Sequence, residues 1–256
     1  MKTHLQTNLE QYHSRSQAYL ESPVHAAGPD LARAQALVGE SVSHHGFALD
    51  VGCGAGHLSF ALAPRLARVV AFDPSVEMLA TVREAAFSRN LSQIETSTGT
   101  AEALPFEDGS FDLVCTRYSA HHWTNLELAL AEMERVLKPG GCLLLIDILG
   151  DEHALADTHL QTIELLRDRS HVRNRSASEW TSLLAAAGFG DVLHEALPTR
   201  IDFVTWVARM RTPPGRVAMI REVQIEAPKE VRDALGFQQD GSFTVQTGLF
   251  FSRKGS

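Results

Sequence analysis

The sequence predicts an α/β fold built on a largely parallel sheet of about seven strands, and three observations carry that expectation. From Gly46 onward, short apolar runs alternate with helix-like stretches, the pattern of successive βαβ units. The run CLLLIDIL (142–149) is almost wholly apolar, as suits a strand covered on both faces. Between the first apolar run and the first helix lies DVGCGAG (50–56), with glycines at 52, 54 and 56. Glycine at a strand-to-helix handover is costly in backbone entropy, so it implies an unusual backbone angle or a ligand lying against bare main chain.

Taken in order, FALDV (47–51) is the first strand, HLSFALAPRL (57–66) the helix after it and RVVAFD (68–73) the second strand. SVEMLATVREAAFSRN (75–90) opens on a serine that can cap a helix and repeats Met78, Leu79, Val82 and Ala86 at helical spacing. A weaker strand at 93–97 precedes a turn built on Leu-Pro and Asp-Gly. SFDLVCTRY (110–118) is the fourth strand. NLELALAEMERVLKPGG (125–141) reads as an amphipathic helix ended by Pro139 and two glycines, and CLLLIDIL as the fifth strand.

Beyond Gly150 the rhythm loosens. Residues 151–170 look helical, SHVRNRSASEW (170–180) is a polar loop, and WTSLLAAAG (180–188) is a helix closed by Gly188. VLHEALP (192–198) and SFTVQTGLFFSRK (242–254) supply the sixth and seventh strands. The stretch 202–237 between them is helical, broken at Pro213–Pro214 and at Pro228. The expected organisation is an N-terminal arm or lid at 1–45, a core at 46–200, a helical cap at 201–237 and a final core strand at 238–256. Additions of this kind cover the ligand edge of an α/β sheet.

Composition narrows the function classes. The chain has 256 residues, 44% hydrophobic and 21% charged, which suits one large α/β domain with embellishments. No signal-like h-region or run of about 20 apolar residues is present, so the expected location is cytoplasmic, with no membrane partner. Cys53, Cys115 and Cys142 are scattered, with neither a disulfide framework nor metal-ligand spacing, and no metal is expected. A formal net charge of -8 disfavours nucleic acid as a partner. The chain is expected to be a monomer or homodimer.

The glycine turn suits two ligand classes, dinucleotides and S-adenosylmethionine. A dinucleotide normally asks for GxGxxG with pyrophosphate over the helix N-terminus, whereas this turn is GxGxG, with His57 at the last glycine position. Asp50, directly before the glycines, is poorly placed for pyrophosphate and better placed to orient the turn towards an ammonium. Asp73 ends the second strand, where a carboxylate accepts from both hydroxyls of a ribose; both cofactor classes use it.

The next stretch discriminates. DVGCGAG, FDPSVEML, the AEALPF–DGSFD segment and ERVLKPGG before a hydrophobic strand follow in order over roughly 46–148. In these pieces the chain resembles the class I S-adenosylmethionine-dependent methyltransferases, in particular the small-molecule group of ubiquinone/menaquinone type. The resemblance implies a Rossmann-like, doubly wound, seven-stranded sheet, mostly parallel with the last strand antiparallel. It also implies S-adenosylmethionine as cofactor, S-adenosylhomocysteine as product and a small-molecule methyl acceptor as partner. Gly52 and Gly54 are then expected under the methionine part, Asp73 on the ribose, and Pro74 and Met78 against the adenine. Thr100-Ala101, before Glu102, replaces the Asp-Ala pair common in the family, so a neutral hydroxyl stands where a charged acceptor is usual. Arg117, ending the fourth strand, is expected near the methionine carboxylate.

His121 and His122 fall in the loop after the fourth strand, where the transferable methyl should point. A neutral imidazole there can take a proton from the acceptor; alternatively one histidine shapes the loop and the other faces solvent. Tyr19 and His25 in the arm are candidates to close over the cofactor and acceptor, and His171 and Arg173 are candidates for acceptor binding, each against simple packing or solvation. Three alternative functions remain: a nicotinamide-dependent oxidoreductase, a non-catalytic cofactor-binding regulator, and a methyltransferase acting on RNA or protein.

Overall fold

A computed structural model describes residues 1–13, 15–21 and 28–255. Strand β1 (Phe47–Val51) is the origin from which the sheet is wound. It pairs in parallel with β2 (Arg68–Asp73) on one side and β4 (Phe111–Arg117) on the other, and β2 pairs in parallel with β3 (Ile94–Thr98). Next to β4 runs β5 (Leu137–Ile148), also parallel. β7 (Phe243–Lys254) is antiparallel to both β5 and the edge strand β6 (Phe189–Ile201). The spatial order is β3-β2-β1-β4-β5-β7-β6, the mostly parallel seven-stranded sheet with an antiparallel last strand that was expected. The chain leaves β1 towards one edge and returns to β4 on its other side. The carboxyl ends of β1 and β4 therefore flank a topological switch point, where open α/β sheets bind ligands.

Eleven helices are described: α1 (His4–Tyr12), α2 (Ser16–Leu20), α3 (Pro29–Ser41), α4 (His57–Leu62), α5 (Val76–Ser88), α6 (Leu126–Val136), α7 (Ala154–Arg167), α8 (Ala177–Ala186), α9 (Phe203–Arg209), α10 (Pro214–Ile225) and α11 (Lys229–Leu235). Side chains alternate across a strand, and that alternation divides the core into two. Leu49, Val51, Val70 and Phe72 face Leu130 and Met133 of α6 and Trp180 of α8. Ala48, Val69, Leu113 and Leu144 face Leu31 and Leu37 of α3 and Leu58 and Leu62 of α4. A third cluster, with Leu160 and Ile163 of α7 against Phe203, Trp206, Ile220, Val231 and Phe243, fastens α9, α10 and α11 to the body.

Several element boundaries differ from the sequence expectation, two of them for proline reasons. Helix α6 stops at Val136, because Lys138 precedes Pro139 and is pushed out of the helical region, leaving Leu137 extended and paired with Phe111. Helix α4 gives way at Pro64 to a 3₁₀ turn (Ala63–Arg65). Strand β6 runs from 189 to 201 rather than 192 to 198, since the long β7 offers a partner along that whole length. The breaks at Pro213–Pro214 and Pro228 fall where they were expected.

The N-terminal arm is tied to the sheet by charge. Asp30, in the first turn of α3, accepts from Arg117 Nε at 2.5 Å, and both side chains are only 4% exposed. Removing one member of a buried pair costs about 3–5 kcal/mol, because it strands the other's charge. We therefore expect Asp30→Ala to lower unfolding stability by roughly that amount in a urea titration, and Asp30→Leu combined with Arg117→Met to recover much of it. An unchanged midpoint for the single variant would remove this pair as the arm's anchor.

Candidate functional site

A cavity of about 590 Å³ lies over the switch point, inside the roughly 300–1,000 Å³ range of small-molecule sites. Its floor is the glycine turn. The amides of Gly52 and Cys53 both donate to the Phe72 carbonyl, at 2.8 and 3.0 Å, which draws the turn against the end of β2. Gly52 has φ 68°, and a Cβ there would fall 1.9 Å from Ser119 Oγ. A side chain at 52 would push apart the turns after β1 and β4. Gly54 has φ 52° and nothing within 4 Å of a built Cβ, so it offers bare backbone to the cavity.

The two acids expected in the turn region both line this cavity. Asp73 accepts from the Gly54 amide (2.9 Å) and the Ser75 amide (2.8 Å), one on each carboxylate oxygen. A carboxylate has about four acceptor positions, so two remain for the hydroxyls of a ribose. Asp50 Oδ2 accepts from Ser59 Oγ at 2.6 Å, but the buried Oδ1 has no hydrogen-bond partner among the described residues. An orphaned buried oxygen is costly unless a ligand donor meets it, and an ammonium group does. Burial pushes both carboxyls up to about 6. The bare Gly54, the orphaned Asp50 oxygen and the half-used Asp73 together fit the amino-acid and sugar parts of S-adenosylmethionine.

Pro74, Met78, Thr100, Ala101 and Glu102 also line the cavity, on the side expected for adenine. Glu102 Oε1 is occupied by the amide and hydroxyl of Thr124, each at 3.3 Å. Arg117 borders the cavity too, but its Nε is committed to Asp30. The carboxylate expected from the ligand is, at that nitrogen, supplied by the arm.

The acceptor end is built by a 3₁₀ turn (Ala120–His122) under α1. Of the two histidines only His122 lines the cavity. Its Nδ1 is 2.8 Å from the Ser170 carbonyl, which can only accept, so Nδ1 carries the proton and Nε2 the lone pair. Tyr12 OH lies 2.8 Å from that Nε2 and 3.2 Å from Asp168 Oδ2. His121 stands behind, its Nδ1 2.6 Å from Asp147 Oδ1 and its ring centroid 4.2 Å from that of His122. Burial and then the neighbouring His121 lower His122 to about 4, whereas Asp147 overcomes burial to raise His121. His122 is thus neutral at pH 7. In α1, His4, Asn8 and Tyr12 line the cavity at i, i+4, i+8 spacing, one helix face, with His4 Nε2 donating to the His122 carbonyl at 3.1 Å. Tyr19 lines it as well, but its hydroxyl donates to Met210 Sδ at 2.9 Å.

The remaining expectations part from the structure. His171 and Arg173 do not line the cavity. His171 is buried with Nε2 donating to Gln161 Oε1 at 2.8 Å, and burial pushes its pKa down to about 3. Arg173 pairs with Asp157 and Glu179, at 3.3 and 3.2 Å. Both hold the 168–176 loop to its neighbours, and that loop reaches the site through Asp168 and the Ser170 carbonyl instead. His25 lies outside the described residues. Tyr12, Asp147 and Asp168 were not among the expected site residues. Of these only Asp147 carried a signal, an acid near the end of an otherwise apolar strand.

Among the described residues no cluster of three or more metal-ligating side chains occurs, and no helix is long and apolar enough to cross a membrane. A family model described as "Methyltransferase domain" matches residues 49–145. The chain is 45% identical over 195 residues to the uncharacterized protein YafE of Escherichia coli, covering 75% of this chain and 93% of that one. It is 34% identical over 229 residues to the uncharacterized methyltransferase YcgJ of Bacillus subtilis, covering 89% of each. The crystal structure of YcgJ superposes with a TM-score of 0.83 over 89% of this chain and 98% of that one, at 30% identity. The demethylmenaquinone methyltransferase of Chlorobaculum tepidum is 38% identical over 100 residues, 39% of each chain.

The two raised carboxyls set a pH dependence. Hydroxyl and ammonium donors favour the ionised acids, so affinity for S-adenosylhomocysteine should rise as pH increases through about 6 and be weaker by about tenfold per acid, about a hundredfold together, at pH 5 than at pH 7.5. Asp73→Asn should weaken binding more than about tenfold at pH 7.5 and make that profile shallower, leaving the step due to Asp50. Calorimetry across the pH range reads both; a flat profile for the unaltered protein would detach Asp73 and Asp50 from the ligand.

Proposed function

The chain belongs to the S-adenosylmethionine-dependent methyltransferases of class I, and from that premise we propose that it methylates a small-molecule acceptor by in-line displacement. The observation that supports a small acceptor is the roof of the cavity. Thr3, His4, Asn8 and Tyr12 close the end beside His122, and the space they leave suits a metabolite rather than a folded macromolecule.

The bound cofactor supplies a methyl group on a sulfonium, already a good leaving group. The chain's contribution is position, exclusion of water and proton removal. The glycine turn, Asp50 and Asp73 fix one reactant, and α1 with the 120–122 turn encloses the other, so that the two meet without solvent between them. His122 is the residue placed to handle the acceptor's proton. An acceptor O–H or N–H lying against Tyr12 gives its proton to the phenol oxygen as the phenol proton passes to His122 Nε2. The lone pair on that nitrogen is held in place by the Nδ1 bond to Ser170. Asp168 Oδ2 lies 3.2 Å from the Tyr12 oxygen and 3.9 Å from the imidazole, close enough to favour the protonated form of His122 once the proton has arrived.

Labelled S-adenosylmethionine incubated with a bacterial metabolite extract, and separately with RNA and protein fractions, should give labelled products only in the metabolite fraction by mass spectrometry. Label confined to RNA or protein would overturn the small-acceptor reading. With an acceptor in hand, His122→Ala should lower kcat by about 10²-fold or more with cofactor affinity unchanged. Full turnover in that variant would reduce His122 to a packing residue.

A further inference from the structure

Beside the two tyrosines of the roof, four arginines come together from three segments. Arg15 stands between α1 and α2, Arg167 ends α7, and Arg209 and Arg211 flank Met210 at the end of α9. Arg15 Nη1 lies 4.0 Å from Met210 Sδ, the same sulfur that accepts from Tyr19 at 2.9 Å. Arg167 Nε donates to the Trp206 carbonyl at 3.1 Å, and Thr212 Oγ1 donates to the Arg167 carbonyl at 3.2 Å, closing the group. Tyr12 and Tyr19 lie with ring centroids 5.5 Å apart.

The arginines are not equally occupied. Arg167 faces Glu164 at 3.6 Å and stacks on the Trp206 ring. Arg211 is exposed and holds a left-handed backbone, φ 48°, at a position that glycine takes more easily. Arg15 and Arg209 are half-buried, and neither pairs with a carboxylate among the described residues; Arg15 Nε is buried with no hydrogen-bond partner. The carboxylates within electrostatic reach, Asp168 and Glu164, are taken. Asp168 accepts from the Ser170 amide and hydroxyl and lies 3.2 Å from the Tyr12 oxygen, and Glu164 faces Arg167. Half-buried guanidinium groups without counter-charge are costly, and folded chains rarely keep them without a partner. Burial, then Arg167, pulls Arg209 below its ordinary pKa, and burial does the same to Arg15. Tyr19 meanwhile spends its proton on a thioether, a weak acceptor that an oxyanion would readily displace.

We infer that Arg15 and Arg209, with the Tyr19 hydroxyl as a third donor, form a subsite for an anionic group of the acceptor, a carboxylate or a phosphate. Guanidinium forks match either group. The inference rests on the methyl-transfer reading above and narrows it. Arg15 and Arg209 lie just outside the cavity lining, next to Tyr19, which does line it, so the acceptor carries its nucleophile at the His122–Tyr12 end and reaches them with its charge past Tyr19. In a chain of net charge -8, a local excess of four guanidiniums over two carboxylates is also the feature that would draw such an acceptor in.

The test does not need the acceptor. Protein saturated with S-adenosylhomocysteine is titrated with inorganic phosphate and, separately, with acetate, at ionic strength held constant by sodium chloride, and read by calorimetry and melting temperature. At least one anion should bind and raise the melting temperature. R209Q and R15Q should each weaken that binding by about tenfold or more, whereas R68Q, at the amino end of β2 where Arg68 pairs with Glu95, should not. Without added anion R209Q should melt no lower than the unaltered protein, since the charge it removes has no partner. Stronger phosphate binding assigns phosphorylated acceptors, and stronger acetate binding assigns carboxylated ones. Neither anion binding above the chloride control, or binding unaffected by R209Q and R15Q, overturns the subsite. These readouts stand apart from turnover. A metabolite screen with no product would sink the small-acceptor reading alone, and one giving only uncharged or cationic products would sink the subsite while methyl transfer stands.

Discussion

The hydrogen bond from the Gly54 amide to Asp73 is the contact on which the rest of the site depends. It joins the first crossover turn to the end of the second strand, and so fixes where a nucleoside's sugar can lie relative to bare backbone. The bond exists only because the turn takes left-handed angles at Gly52 and Gly54 and because Gly52 admits Ser119 against it. Local backbone chemistry at two glycines thereby positions a carboxylate some twenty residues away in sequence, as the crossover logic of an open parallel sheet requires. Family membership identifies the nucleoside as S-adenosylmethionine and removes the nicotinamide and regulator alternatives.

Around that fixed half, the variable half is assembled from pieces far apart in the chain. The arm contributes Tyr12, held 2.8 Å from His122; the 168–176 loop contributes Asp168 and the Ser170 carbonyl; β5 contributes Asp147 behind His121. Charge divides the histidines. Asp147 raises His121, while burial and then the neighbouring His121 lower His122 to about 4 and leave it neutral, ready to accept a proton. With ring centroids 4.2 Å apart and planes tilted by 48°, the two imidazoles shift in opposite directions because of their neighbours, not their ring chemistry.

How much of this was legible in the sequence follows the range of the interactions. The strands, the glycine turn, Asp50 and Asp73 are governed by short-range rules, namely alternation, turn chemistry and strand-end position, and they lie where those rules put them. Proline shifted two helix ends by acting on the residue before it or on its own ring, effects a periodicity count does not weigh. His171 and Arg173 looked like loop residues available to a substrate, but Gln161, Asp157 and Glu179 on two flanking helices absorb them. Tyr12 was invisible for the opposite reason. Its partner is 110 positions away, and nothing in HLQTNLEQYH distinguishes a roofing helix from a solvated one.

The most direct test of the central claim is a crystal structure with S-adenosylhomocysteine bound. The account predicts the ribose hydroxyls at about 3 Å from the Asp73 carboxylate, the amino group on Asp50 Oδ1, and the sulfur facing the end of the cavity where Tyr12 meets His122. A nucleoside bound in the reverse sense, or one whose sugar leaves Asp73 untouched, would contradict it.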